Sequence, residues 1–379
     1  MGQPTYDCIV VGIGGIGSAA LYHLARRGAK VLGIDQYPVA HDQGSSHGDT
    51  RAIRLVYFEH PDYVPLLKRS LQLWEELNEK NAQCLFHRTG ILQSGPASGE
   101  VIKGLIAAAA AHDLPMEQLS ASEVSDRFKG FSIPSTESAI FDPNGGVLKV
   151  EDCIRAHVHL AETHGAALHT PETVRHWYVD KQAVNVETDK GHHKCKALVI
   201  TPGPWAPRML PAFAPHLHLL RKSLFWFDNE EESYHIENGC PVFLFEQGKH
   251  AFYGFPALDE KGIKVADHNG GRPITSPADL DRHVDTDELG AVSLMLRQYL
   301  PAVGHQLNDH TTCMYTMSAD GHFIVGHYPE VEQVNVVAGL SGHGFKFAPV
   351  LGEIMADLAL EGATEHPIDF LSPTRFVMP

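Results

Sequence analysis

Residues 6–35 read YDCIVVGIGGIGSAALYHLARRGAKVLGID, the pattern of a strand, a glycine turn, a helix, a second strand and a terminal carboxylate. Residues 8–11 are a continuous apolar run suited to a strand covered on both faces, and Ala19, Leu21, Leu24 and Ala25 recur with helical spacing over 18–27. Between them lie Gly12, Gly14, Gly15 and Gly17. Gly12 permits the tight turn, Gly14 lets a pyrophosphate approach the backbone, and Gly17 lets the helix pack closely on the strand. The helix N-terminus, with its free amides and positive dipole end, then receives the phosphates. Asp35 follows Gly17 by 18 residues, where a carboxylate accepts hydrogen bonds from ribose hydroxyls and argues against a 2′-phosphate. Together these features predict a bound dinucleotide, without separating FAD from NAD.

With 379 residues the chain exceeds one ordinary core, so two domains and a sizeable buried pocket are expected. The formal charge of −16, from 46 acidic and 30 basic residues, offers no electrostatic footprint for nucleic acid or an anionic membrane. No apolar run approaches the roughly 18 residues of a spanning helix, and the chain enters a strand within a few residues of its start. The expectation is a cytoplasmic protein without signal peptide. MGQPTY lacks the Ser or Thr of a myristoylation signal, and VMP is no peroxisomal address. The six cysteines, Cys8, Cys84, Cys153, Cys195, Cys240 and Cys313, show no paired CxxC spacing and suggest neither zinc nor disulfides. The 25 histidines are scattered; His192 and His193 read as solvated loop residues after Gly191, and no metal site is expected.

Beyond Asp35 the loop AHDQGSSHGDTRAIR (40–54) crowds small, polar and cationic groups into a short span. It reads either as a solvated loop with a capped helix after Asp49 or Thr50, or as a lid over the cofactor. Its place beyond the carboxyl end of a nucleotide strand favours the lid. An amphipathic helix over 63–81 buries Leu66, Leu67, Leu71, Trp74 and Leu77. A short strand at 90–94, a helix over 99–112, and a capping box of Ser120 with Glu123 follow. Next come a helix over 150–164, hairpin-like segments at 168–174 and 183–188, and a buried strand at 196–201. Gly203 and Trp205 then cross near a nucleotide or simply pack.

From 219 to 253 the pattern changes to long aromatic strands, read as an antiparallel sheet that forms a substrate-facing domain inserted into the nucleotide domain. Lys264 and His268, four apart, share one face if they lie on a strand; otherwise they are solvated. A helix over 287–300 returns the chain to the nucleotide, where a second strand, glycine turn and helix begin near 334. Gly339, Gly342 and Gly344 bring backbone close to a ligand. Lys346 is either a snorkelling surface residue or, if that turn is buried, the partner of a carboxylate or a flavin carbonyl.

The words GSSHGDTR at 44–51, YGFP at 253–256, Lys264 with His268, CMYT at 313–316 and GLSGHGFKFA at 339–348 carry a family likeness. The chain resembles, nearly end to end, the monomeric sarcosine oxidase and N-methyl-L-tryptophan oxidase family, flavoenzymes of the D-amino-acid-oxidase fold. The run GLSGHGFKFAPVLGEI is closer to the N-methyltryptophan branch. The resemblance implies FAD joined by a thioether to Cys313, a residue whose chemistry alone reads as a buried structural thiol. It implies that Arg54 and Lys346 hold the substrate carboxylate, that Lys264 faces the flavin, and that His47, Arg51 and His268 complete the catalytic site. Tyr253 and Tyr315 line it, and Val174 contacts adenine through its backbone. Two departures stand out: Ser46 and His47 replace the usual pair of histidines, and Ala319, Asp320, Gly321 and His322 replace Pro-Asp-Glu-His.

The expected fold is therefore α/β and α+β: an FAD-binding Rossmann-like domain (1–85, 140–218 and 305–379) with an inserted antiparallel-sheet substrate domain (86–139 and 219–304). The expected activity is oxidative demethylation of an N-methyl amino acid by a monomeric enzyme, with molecular oxygen as acceptor and the primary amino acid, formaldehyde and hydrogen peroxide as products. The rival readings are a secondary-amine dehydrogenase that passes electrons to a carrier, a nicotinamide enzyme, and a flavin-binding protein without turnover.

Overall fold

The computed structural model describes residues 5–376 apart from 182, 230, 305 and 330. Residues 1–4 and 377–379, on which the lipidation and peroxisomal readings partly rest, lie outside them. The opening strand Thr5–Val11 sits inside an eight-stranded sheet, parallel to Val31–Ile34 on one side and His192–Ile200 on the other. Ala167–His169 and Val331–Ala338 extend the parallel core at its two sides. Helices Gly15–Arg26, Val150–Thr163 and Ala348–Glu361 share a core with Cys8 and Val10, while Ile9, Val11, Leu198 and Ile200 pack with Leu210 and Phe213. Burial on both faces explains why these strands are apolar runs rather than alternating ones.

The aromatic stretch forms a nine-stranded sheet, antiparallel except where Val242–Gln247 runs parallel to Ile91–Pro96. Alternation divides its residues between two faces. Phe225 and Phe227 pack with Phe243, Phe245 and Phe252 beneath the helix Thr286–Tyr299. Leu224 and Trp226 turn the other way, toward Ala266, Cys313 and Tyr315. The strand Leu307–Ser318, which carries Cys313 and Tyr315, pairs along its length with Leu217–Phe227 and so belongs to this sheet.

Three local readings need correction. No helix follows Asp49 or Thr50: Thr50–Ile53 is a strand paired with Gly146–Lys149 and Phe86–His87 completes that three-stranded sheet, so the loop's polar groups are fixed by a ladder. The segments 168–174 and 183–188 are not two arms of one hairpin; Ala167–His169 is a parallel core strand, and the hairpin joins Val174–Asp180 to Ala183–Thr188. His192 and His193 open the strand His192–Ile200, and only His192 is exposed. The capping box at Ser120 and Glu123 is present as read.

Candidate active site and nucleotide cavity

One continuous cavity runs from Glu172, Thr173 and Val174, past the first glycine turn and Asp35, to Arg51, Arg54, Tyr253, His268, Tyr315 and Lys346. At the nucleotide end Gly12 has φ +88°, and a Cβ there would lie 2.4 Å from the Thr201 carbonyl oxygen. A Cβ on Gly17 would lie 1.7 Å from the Gly12 carbonyl oxygen, so helix and strand touch there as the spacing requires. Gly14, by contrast, has only the Ser46 hydroxyl oxygen near its open face, at 3.9 Å. The helix that follows has no acidic residue in its first turn and no side-chain cap at Gly14, which leaves its positive end to a ligand. Gly15 and Gly344 also line the cavity, and the Gly15 amide donates to Ser46 Oγ at 3.3 Å.

Asp35 accepts the Ile13 amide on Oδ2 at 2.6 Å and the Tyr37 amide on Oδ1 at 2.9 Å. Burial raises its pKa although those amides pull the other way. The residues present therefore fit a dinucleotide: an unneutralised helix end, a backbone open at Gly14, and a fixed carboxylate 8 % exposed on the cavity wall.

The far end is cationic. Arg54 is buried and held by Glu59 through two bonds, NH1 to Oε2 at 2.9 Å and NH2 to Oε1 at 2.6 Å. Its guanidinium also stacks 4.4 Å from the Tyr57 ring centroid and 4.5 Å from that of Phe58. Burial alone would raise the Glu59 carboxyl, but Arg54, with His343 and Lys346 beyond it, holds the group down to about 2. Lys346 lies within the short helical turn Phe345–Phe347, where its carbonyl accepts the Ser70 hydroxyl and the Trp74 indole N–H. Its ammonium donates to the His343 carbonyl at 2.8 Å. Burial, then the Arg54 and Arg51 charges, lower it to about 7 against the pull of Glu59. The burial that would make Lys346 costly without an anion is thus present; its ammonium bonds the His343 carbonyl, and Glu59 supports it only as a nearby charge.

His268 is pushed by burial down to about 4 and is neutral at ordinary pH. The Tyr253 and Tyr315 hydroxyl oxygens lie 3.5 Å apart over the cavity, and a Cβ on Gly342 would strike the Tyr315 ring at 2.2 Å. Arg51 is anchored on backbone, NH1 to Thr50 O and NH2 to Ser45 O, each at 2.8 Å.

Besides Gly17, which packs helix on strand, three expected site residues sit behind the wall rather than on it. Lys264 donates to Thr50 O at 2.9 Å, Thr50 Oγ1 at 3.1 Å and the Gly48 carbonyl, between the rings of Trp226 and Phe255. Burial and then Arg51 lower its pKa well below the usual lysine range. His47 is buried, with Nε2 unpartnered among the described residues, and burial with Arg51 brings it to about 3. Cys313, 1 % exposed, packs among Leu224, Trp226 and Ala266 while its neighbours Met314 and Tyr315 form the wall. Glu59, Tyr57 and His343 escaped the sequence reading. Tyr57 and His343 share a hydrogen bond of 2.6 Å across 286 residues, which no local spacing announces.

A family profile described as FAD dependent oxidoreductase matches residues 7–358. The chain belongs to that family. FAD, rather than NAD, is the dinucleotide it uses. The chain is 37 % identical to monomeric sarcosine oxidase of Streptomyces avermitilis, over 98 % of each chain. It is 36 % identical to N-methyl-L-tryptophan oxidase of Salmonella dublin, over 98 % of this chain and 99 % of that one. Among solved structures, NikD, an unusual amino acid oxidase essential for nikkomycin biosynthesis, matches in its open form with a TM-score of 0.85 and 26 % identity over 98 % of each chain. This FAD dependent oxidoreductase has no helix among its described residues long and apolar enough to cross a membrane.

Proposed function

We propose that the protein is an FAD-dependent oxidase of N-methyl amino acids, of the sarcosine or N-methyl-L-tryptophan type, acting as a cytoplasmic monomer. The observation that carries this reading is the carboxylate of Glu59 bound bidentately to Arg54, with Lys346 close enough to lower its pKa. A site whose buried Arg54 already binds one carboxylate, with the Lys346 ammonium nearby, has the chemistry to hold another. The substrate carboxylate takes Arg54 and Lys346 in place of Glu59, which directs the amine toward Tyr253, Tyr315 and His268. Arg51, Arg54 and Lys346 together make the field positive and favour the neutral amine, the form able to be oxidised. Bound FAD supplies the two-electron acceptor for the C–N oxidation and returns the electrons to oxygen. His268 and His47, both neutral, add no competing charge.

The direct test is anaerobic bleaching of the yellow protein against a panel of N-methyl amino acids, with formaldehyde and peroxide assayed in air. Bleaching without oxygen consumption in air would move the reading to a dehydrogenase, and no bleaching with any secondary amine would end it. Size-exclusion chromatography checks the monomer.

Arg54→Gln is expected to weaken amino-acid substrates by roughly ten- to a hundredfold, since a charge-assisted hydrogen bond is worth about 1.5 to 3 kcal/mol. Uncharged N-methyl amines should change far less. An equal loss for both classes would place the carboxylate site elsewhere.

The titration of Lys346 makes binding pH-dependent. An incoming carboxylate stabilises the ammonium and raises its pKa in the complex, so binding takes up a proton. Affinity for an amine-free carboxylate ligand should fall as pH rises through about 7, the value for the free site. In Lys346→Met the profile should be flat over that range, as read by the ligand's perturbation of the flavin spectrum.

A further inference from the structure

Next to the adenine-side end of the cavity, three side chains converge that play no part in the oxidation site. His169 ends the core strand Ala167–His169, Glu172 stands three residues on, and His193 comes from the first turn of pleat of His192–Ile200. Their ligand atoms all lie within 4.8 Å of one another. His193 Nε2 is 2.6 Å from Glu172 Oε1, and His169 Nδ1 is 3.0 Å from Oε2. Each carboxylate oxygen thus faces one imidazole, and the rings meet edge to face at 67° with centroids 5.3 Å apart.

The acid is held from behind. Thr188 Oγ1 donates to Oε1 at 2.6 Å, and the Glu172 amide donates to the Asp35 carbonyl at 2.7 Å. Outer partners of this kind orient metal ligands. The Glu172 side chain is only 4 % exposed, whereas His193 is 16 % and His169 39 % exposed, so solvent reaches the cluster from the imidazole side.

We propose that His169, Glu172 and His193 form a binding site for a divalent cation of the zinc class. Two imidazole nitrogens and a carboxylate are the donor set such cations take, at about 2.0 to 2.2 Å, with a water or the second carboxylate oxygen as fourth ligand. Ligand atoms around a tetrahedral ion stand roughly 3.3 Å apart, so the two imidazole–carboxylate pairs, now at 2.6 and 3.0 Å, need open by less than about 1 Å to admit it. No thiolate or other costly deprotonation is required. Each neutral imidazole moves its proton to its outer nitrogen, which bonds no protein group among the described residues. The ion ties the start of the core strand His192–Ile200, through His193, to the end of Ala167–His169 and to the cavity-lining segment Glu172–Val174. This proposal does not depend on which amine the cavity oxidises.

The test uses the flavin-loaded protein, stripped with a chelator and titrated with zinc chloride against a chromophoric competitor. Wild type should bind about one equivalent at micromolar affinity or tighter, and cobalt(II) in its place should add d–d absorption at longer wavelength than the flavin. Glu172→Gln, His193→Gln and His169→Gln should each weaken binding by at least about tenfold, while His192→Gln, next in sequence, should not. Zinc should raise the melting temperature of wild type and not of those three variants. An unchanged flavin spectrum without zinc verifies the fold of each variant, and the more exposed His169→Gln serves if Glu172→Gln does not fold. Binding that survives in His169→Gln and His193→Gln, or no binding by wild type at millimolar zinc, overturns the site.

Discussion

Lys264→Met should slow reoxidation of the reduced enzyme by oxygen about a thousandfold while leaving its anaerobic reduction by substrate nearly unchanged. The first electron to reach oxygen creates an anion. On the reading that Lys264 serves the oxygen step, an ammonium brought to about 4 Å from that anion would stabilise it by ~4 kcal/mol at an effective dielectric near 20. In this structure the ammonium is fixed, since its three donors are spent on Gly48 O, Thr50 O and Thr50 Oγ1. Methionine keeps much of the shape but cancels the charge and frees those acceptors. Stopped flow times the two half-reactions separately. Slowed reduction with intact reoxidation would assign Lys264 to holding the loop against the substrate side. Because burial and Arg51 lower its pKa well below the usual lysine range, the ammonium, and the oxygen rate with it, should be lost as pH rises through that lowered value.

Cys313→Ser is expected to abolish covalent attachment of the flavin. Acid precipitation should carry the yellow chromophore into the pellet with wild type and leave it in the supernatant with the variant. Cys313 is the one cysteine of six on the strand whose next residues, Met314, Tyr315 and Thr316, line the cavity. Non-covalent FAD should still bind to the variant through the glycine turn and Asp35. Chromophore in the supernatant of wild type would reject the thioether. Chromophore retained in the pellet by the variant would move it to another residue.

The nucleotide end was legible because its requirements are local. Gly12 is required by its own positive φ and Gly17 by the Gly12 carbonyl five residues back, and Asp35 closes the same unit. The aromatic sheet was legible from alternation, which separates Phe225 and Phe227 from Leu224 and Trp226. What the sequence hid was pairing across distance. The strand Leu307–Ser318 precedes the second glycine turn in order, yet its register sets Cys313 opposite Lys222 in the other sheet. Lys264 read as flavin-facing by resemblance, but its partners lie more than 200 residues away on the 48–50 loop. His193 read as solvated because Glu172, 21 residues earlier, is carried to it by the hairpin layer. Glu59 was near in sequence but gave no sign, since nothing in an arginine and an acid five residues apart fixes the loop that joins them.

That arginine and acid change what substrate affinity means. Arg54 is already paired with Glu59, so at the proposed carboxylate site an arriving amino acid would not fill a vacancy; it would evict a tenant. Measured affinity would then be an exchange constant, the preference of a buried guanidinium for a mobile carboxylate over a tethered one. A weak anion or a neutral amine lacks the means to force that exchange and leaves the entrance as it found it. Selectivity at the proposed site would then begin with a contest between two acids, before any group meets the aromatic wall.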